Sequence, residues 1–181
     1  MECCGASLRW TAEGGCPYVI FVPKAFYRRK LPHLQRDYKP HFVTFCTHLR
    51  WILPEEARAI VLDCCLHDNG TKLDLHAVVV MPDHVHLIFT PLINPARLEV
   101  YSLGEIMDAI KGASAHKINR LLGRSGKVWQ TESFDRVLRC SEKLDEKVQY
   151  VSNNPVRRHL VSVPQEYPWL WVAGVKAPIP A

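Results

Sequence analysis

The chain has 181 residues, of which 48% are hydrophobic and 23% charged, proportions that exclude a disordered chain and allow one domain with a sizeable core. Its formal charge of +5 leans towards an anionic partner, a lean that many unrelated soluble domains share. No stretch of 18 apolar residues occurs, so no membrane-spanning helix is expected, and the apolar run 17–23 lacks the basic lead and small-residue cleavage site of a signal peptide.

Residues 1–33 read as an extension, mixing Gly, Cys and Pro and ending in the basic-aromatic stretch Phe26-Tyr27-Arg28-Arg29-Lys30. That stretch suits either an arm on a phosphate backbone or a solvated linker. The segment 34–172 reads as the domain and 173–181 as a loose tail. Within the domain, His41–His48 has the composition of a strand. Pro54 opens a helix with Ala57, Ile60, Val61, Cys64 and Cys65 on one face, closed by Asn69-Gly70. Leu73–Met81 and His84–Thr90 are two strands joined across Pro82-Asp83 in a hairpin. Ser102 and Glu105 form a capping box, and the helix after them carries Leu103, Ile106, Met107, Ile110, Ile118 and Leu121 until Gly123 ends it. Phe134–Arg139 is a strand, and Ser141 caps a last helix running to Asn153, where Pro155 stops it. The order β-α-β-β-α-β-α matches the split βαβ arrangement: an α+β, ferredoxin-like antiparallel sheet with helices on one face, followed by a C-terminal helix.

Seven cysteines, an odd number, include the adjacent pairs Cys3-Cys4 and Cys64-Cys65 and no Cys-x-x-Cys. Neighbouring cysteines rarely bridge, so they read as reduced thiols in a cytoplasmic protein. Cys64 and His67 have ligand-like spacing but no second pair beside them, so the cysteines read as small buried side chains on a helix.

His84 and His86 stand two apart on a predicted strand, which sends both imidazoles to one face and Val85 to the other. Such a pair can chelate a divalent ion, although the spacing by itself favours two surface histidines, or one satisfied by a backbone carbonyl. On the last helix Leu144, Val148 and Val151 form an apolar stripe within about 60°, and Tyr150 falls roughly 120° from its centre, at the rim. Asn154, one turn on, faces the same place as Tyr150. Taken alone, the pair reads first as an ordinary amphipathic tyrosine and a helix-ending asparagine. Between Asp108 and Glu132 stand Lys111, Lys117, Arg120, Arg124 and Lys127 with no acid among them, and Arg157 and Arg158 follow the Asn-Pro stop. Together with Arg136 they suit a phosphate backbone, or simply a solvated surface. Trp129 and Phe134 suit stacking on unpaired bases, or the core.

The segments MPDHVHLIF, SLGEIMDAIKGASAHKIN, GKVWQTESFDRVLR, YVSNNPVRRHLV and EYPWLW follow one another in this chain. In that order they resemble the HUH-class single-tyrosine transposases, and within them the REP-associated tyrosine transposases, over residues 34–171. The resemblance implies the split βαβ fold and a divalent metal, Mg²⁺ or Mn²⁺. It also implies cleavage and rejoining of single-stranded or hairpin DNA through a 5′-phosphotyrosine. Carried over residue by residue, His84 and His86 are the metal pair, Asn154 completes the metal site and Tyr150 is the nucleophile. The implied partner is DNA, with no membrane and no small-molecule substrate, in a monomer or a homodimer. Residues 1–33 have no counterpart in the resemblance, and Glu132-Ser133 replace the basic-aromatic residues usual before Phe-Asp-Arg. Two alternatives stand beside this reading: a domesticated DNA-binding protein of the same fold without strand transfer, and a metal-dependent hydrolase that uses activated water.

Overall fold

The computed structural model describes residues 39–138 and 144–175. The extension 1–33, most of the tail, Arg139 at the end of the fourth expected strand and the Ser141 cap lie outside the described residues. Strand β1 (His41–Thr47) is followed by a 3-10 turn at His48–Arg50 and helix α1 (Glu55–His67), with Pro54 in the N-cap position and Glu55 and Glu56 in the first turn. There the two carboxylates complement the positive end of the helix dipole. Strands β2 (Leu73–Val80) and β3 (His84–Pro91) form the expected hairpin, and a two-stranded ribbon follows, β4 (Ile93–Asn94) with β5 (Glu99–Val100). Helix α2 (Leu103–Leu121) starts on the expected capping box: Ser102 Oγ accepts from the Glu105 backbone N–H at 3.2 Å, while Glu105 accepts from that of Ser102 at 2.8 Å. Strand β6 (Trp129–Val137), helix α3 (Leu144–Ser152), the single helical turn α4 (Asn154–Arg157) and strand β7 (Leu170–Val172) complete the chain.

All pairings in the main sheet are antiparallel, in the order β6-β1-β3-β2-β7. The first four strands of this order are the split βαβ arrangement expected; β7 extends it at the β2 edge. β7 is too short for a periodic signal, and side chains hold it in place. The Tyr167 hydroxyl donates to the Val80 carbonyl at 2.9 Å, and the Arg58 guanidinium lies 3.8 Å from the centre of the Trp169 ring. β6 begins five residues earlier than Phe134 because Trp129 belongs to it and pairs with Thr47.

Strand alternation divides the core in two. Val43, Phe45, Val78, Val80, Val85, Leu87 and Phe89 form one cluster with the apolar stripes of α1 and α2. Phe42, Val79, Met81 and Ile88 point the other way and pack with Val148, Tyr150 and Val151 of α3. Helices α1 and α2 therefore cover one face, and the tyrosine-bearing helix lies on the opposite one. Among the described residues, no helix is long and apolar enough to cross a membrane.

His41, fully buried at the start of β1, contributes to acid sensitivity. Burial holds its imidazole below the ordinary histidine range, against partly opposing effects of the Lys39 backbone and Asp135. Below about pH 6.5 the unfolded chain takes up a proton that the folded chain refuses, so this part of the stability is present above that pH and lost as the pH falls. His41→Phe is expected to flatten the decline in urea midpoint between pH 7 and pH 5. An unchanged decline would remove His41 as its source.

Candidate active site

The site is built where β3 begins. Thr47 donates twice to the Asp83 carbonyl, from its backbone N–H at 2.9 Å and its hydroxyl at 3.1 Å, and the Met81 N–H donates to the His84 carbonyl at 2.8 Å. This tight turn fixes Asp83 beside the first residue of the strand. One oxygen of its carboxylate lies 2.6 Å from His84 Nδ1, and the other accepts from Arg50 at 3.1 Å. The hydrogen bond with His84, aided by Arg50, holds the Asp83 carboxyl down at about 2. Arg50 and its neighbour Leu49 both have left-handed backbones, with φ of 56° and 54°. Residues with side chains rarely adopt that conformation, and here it delivers the guanidinium to Asp83.

His86, the next residue on the same face, pairs across the sheet with Thr44. Its Nδ1 lies 2.7 Å from Thr44 Oγ1, and Phe42 stacks on its ring at 5.4 Å between centroids. The two imidazoles are 4.7 Å apart, and His84 and His86 are only 4% and 1% exposed. They are therefore not surface histidines, and a side chain occupies each Nδ1. Desolvation, with the positive charge of Arg158 adding to it and Asp83 opposing, brings His86 down to about 3, so it is neutral at physiological pH.

That leaves the Nε2 atoms. His86 Nε2 is buried without a hydrogen-bond partner. An unsatisfied polar atom of this kind costs about 1–3 kcal/mol. In the tautomer that donates from Nδ1 to Asp83 and to Thr44, each Nε2 keeps a lone pair, as in metal-binding histidines. This donor pair could hold a divalent ion. Among the described residues no three His, Cys, Asp or Glu side chains converge.

Tyr150 reaches the pair from α3. Its ring centre is 6.1 Å from that of His86 and 6.3 Å from that of Phe42, against which it stands edge-on. Cations flank it: the Arg157 guanidinium lies 5.2 Å and Lys147 Nζ 5.7 Å from the ring centre. Asn154 is buried at the start of α4, four residues after Tyr150.

Residues 34–154 match the family described as Transposase IS200 like. The chain belongs to the IS200-like transposases. Among solved structures, one titled as a REP-associated tyrosine transposase bound to a REP hairpin is similar in fold. It shares 19% identity, with 81% of this chain and 82% of that one covered and a TM-score of 0.57. A putative transposase from Deinococcus radiodurans is 24% identical over 69% of this chain and 97% of its own, with a TM-score of 0.43. No curated protein is matched.

The remaining candidates of this transposase divide by face. Trp129 is a core residue, contrary to the stacking role expected for it: it is 6% exposed, meets Phe45 edge-on, and its indole N–H donates to Ser114 Oγ at 3.0 Å. Exposing about 200 Å² of indole would cost about 5 kcal/mol, more than the ~1–3 kcal/mol that stacking on a base returns. Lys111 is likewise no free phosphate contact. Its ammonium donates to the carbonyls of Gln130 and Thr131 and to Ser133 Oγ at 2.8–3.2 Å, clamping α2 to β6. Lys117 and Arg120 are exposed on α2, which covers the face away from the histidine pair. In the loop after α2, Lys127 is exposed and the Arg124 guanidinium lies 4.0 Å from the centre of the Trp51 ring. The cations of 111–127 thus form no single stripe beside the site. Arg136, Arg157 and Arg158 are exposed: Arg136 shares the face of Phe42, Arg157 lies against Tyr150, and Arg158 acts on His86. Sequence reasoning missed Asp83, Thr44 and Lys147. Asp83 adjoins the histidine pair and Lys147 precedes Tyr150 by one turn, both legible spacings; Thr44 is disclosed only by strand register.

Proposed function

We propose that this IS200-like transposase cleaves and rejoins single-stranded or hairpin DNA of REP type through a 5′-phosphotyrosine on Tyr150. The observation that carries the reading is the placement of Tyr150 6.1 Å from His86, one of two adjoining buried histidines whose Nδ1 atoms are both held by side chains. In the forward step Tyr150 Oη bonds to phosphorus, the bond from phosphorus to the 3′ oxygen breaks, and that oxygen leaves as a hydroxyl once protonated. Rejoining is the reverse attack by a 3′ hydroxyl, which returns the phenol. The phosphoester bond is conserved throughout, so no ATP is required. Lys147, Arg157 and Arg158 meet the charge of the strand.

His84 Nε2, His86 Nε2 and the Asn154 amide oxygen would hold Mg²⁺ or Mn²⁺. When bound, the ion supplies Lewis-acid polarisation of a non-bridging phosphate oxygen. The role of Asp83 is to fix the tautomer and orientation of His84, with Arg50 bracing its second oxygen. Asp83→Asn is expected to weaken Mn²⁺ binding about 10- to 100-fold, read as free Mn²⁺ by electron paramagnetic resonance. Equal affinity in a folded variant would exclude that role.

The reading is tested by incubating the protein and Mn²⁺ with labelled hairpin DNA of REP type. A denaturant-resistant protein–DNA band is expected. Tight binding with no band would favour the domesticated DNA-binding protein, and cleavage with no band the hydrolase.

A further inference from the structure

Strand β6 is an edge of the sheet, and all but one of its exposed positions carry polar or charged side chains. The exception is Phe134, which is 59% exposed. Its position is specific. Phe134 pairs with Thr44, and Thr44 pairs on its other side with His86, to which it is hydrogen-bonded. Directly paired residues share a face, so Phe134 stands on the histidine face, two strand spacings or about 10 Å from His86. Arg136, the next residue on that face, pairs with Phe42, whose ring lies against both His86 and Tyr150. From the nucleophile outward the surface thus runs Tyr150, Phe42 and Thr44, then Arg136 and Phe134, with Lys147 near Phe42 at 5.9 Å.

We infer that Phe134 and Arg136 form a nucleotide subsite: Phe134 stacks under an unpaired base about one or two nucleotides from the scissile phosphate, and Arg136 meets the phosphate of that nucleotide. An aromatic platform beside cations is the arrangement by which proteins hold single strands, each stacked base being worth about 1–3 kcal/mol. The same ring in a duplex would find no exposed base face, so the subsite selects an unpaired nucleotide. Stacking tolerates any base, and its strength grows with ring area. The subsite therefore ranks purine above pyrimidine above an abasic position, without reading a sequence.

The inference rests on the cleavage reading, and the experiment separates the two. Single 2-aminopurine substitutions are placed at each unpaired position of a REP-type hairpin, and fluorescence is read on binding to the Tyr150→Phe protein, which is expected to hold the DNA without reacting. Quenching at one position near the cleavage point is expected. Adding Phe134→Ala should abolish it and adding Phe134→Tyr should restore it. In the protein with Tyr150 intact, an abasic nucleotide at that position should lower cleavage about tenfold or more, with the Phe134→Ala variant losing the distinction between purine and abasic substrates. Quenching that is uniform along the strand, or that survives Phe134→Ala, overturns the subsite even when the covalent adduct forms. Absence of the adduct in the unmodified protein overturns the cleavage reading instead, and leaves the quenching result standing.

Discussion

Tyr150→Phe is expected to reduce the covalent protein–DNA adduct to background while hairpin affinity stays within about threefold. The substitution removes the single oxygen that would bond to phosphorus and keeps the ring. The edge-on contact with Phe42 and the packing of Val148 and Val151 therefore persist. Arg157 and Lys147 face the ring at 5.2 and 5.7 Å, and a phenyl face attracts them as a phenol face does. Gel analysis under denaturing conditions, beside a binding isotherm, reads both quantities. A parallel loss of binding would make Tyr150 a structural residue, and strand cleavage that continued without an adduct would show water as the nucleophile.

The second large effect concerns His86. His86→Leu is expected to abolish detectable Mn²⁺ binding and to lower cleavage by about 100-fold or more, since Lewis-acid assistance to phosphate is worth several kcal/mol. Stability should respond in the opposite sense. In EDTA the native protein holds a buried Nε2 with no partner, and an apolar side chain of similar volume removes that unsatisfied group. The Tm in EDTA is therefore expected to stay level or rise by a few degrees, at about 2–4 °C per kcal/mol. Together, lost ion binding and unchanged or higher Tm mark a side chain kept for chemistry at some expense of stability. A fall of about 10 °C or more would instead show that His86 holds the sheet together.

Thr44 shows what one sequence conceals. It has no motif, stands 42 positions from His86, and becomes its hydrogen-bond partner only through the register of β1 against β3. Trp129 shows the converse. Its composition suits a nucleic-acid surface, but β6 starts early enough to carry it into the core, where Ser114 takes its N–H. The cations of 111–127 were read as one run because they are close in sequence. Helix α2 must bury Leu103, Ile106 and Ile110 against the sheet, and this turns its exposed side away from the histidines. The strand β7 stayed hidden because three residues give no period, and Tyr167 and Trp169 fix it through long-range contacts.

By itself the sequence determined what depends on local periodicity and short-range chemistry: the order of the four long strands and three helices, the capping box at Ser102, and the common face of His84 and His86. These follow from backbone geometry at separations of two to four residues, where a side chain's direction is set by its own element. Only the tertiary structure decided which face of the sheet α3 covers, and so that Tyr150 stands 6.1 Å from His86. It also decided that Thr44 holds the His86 imidazole, and that Phe134 lies exposed on the histidine face while Trp129 is buried on the other. The physical reason is that strand register and the choice of sheet face are set by the fit of whole apolar surfaces, a sum over many distant contacts that no short segment contains.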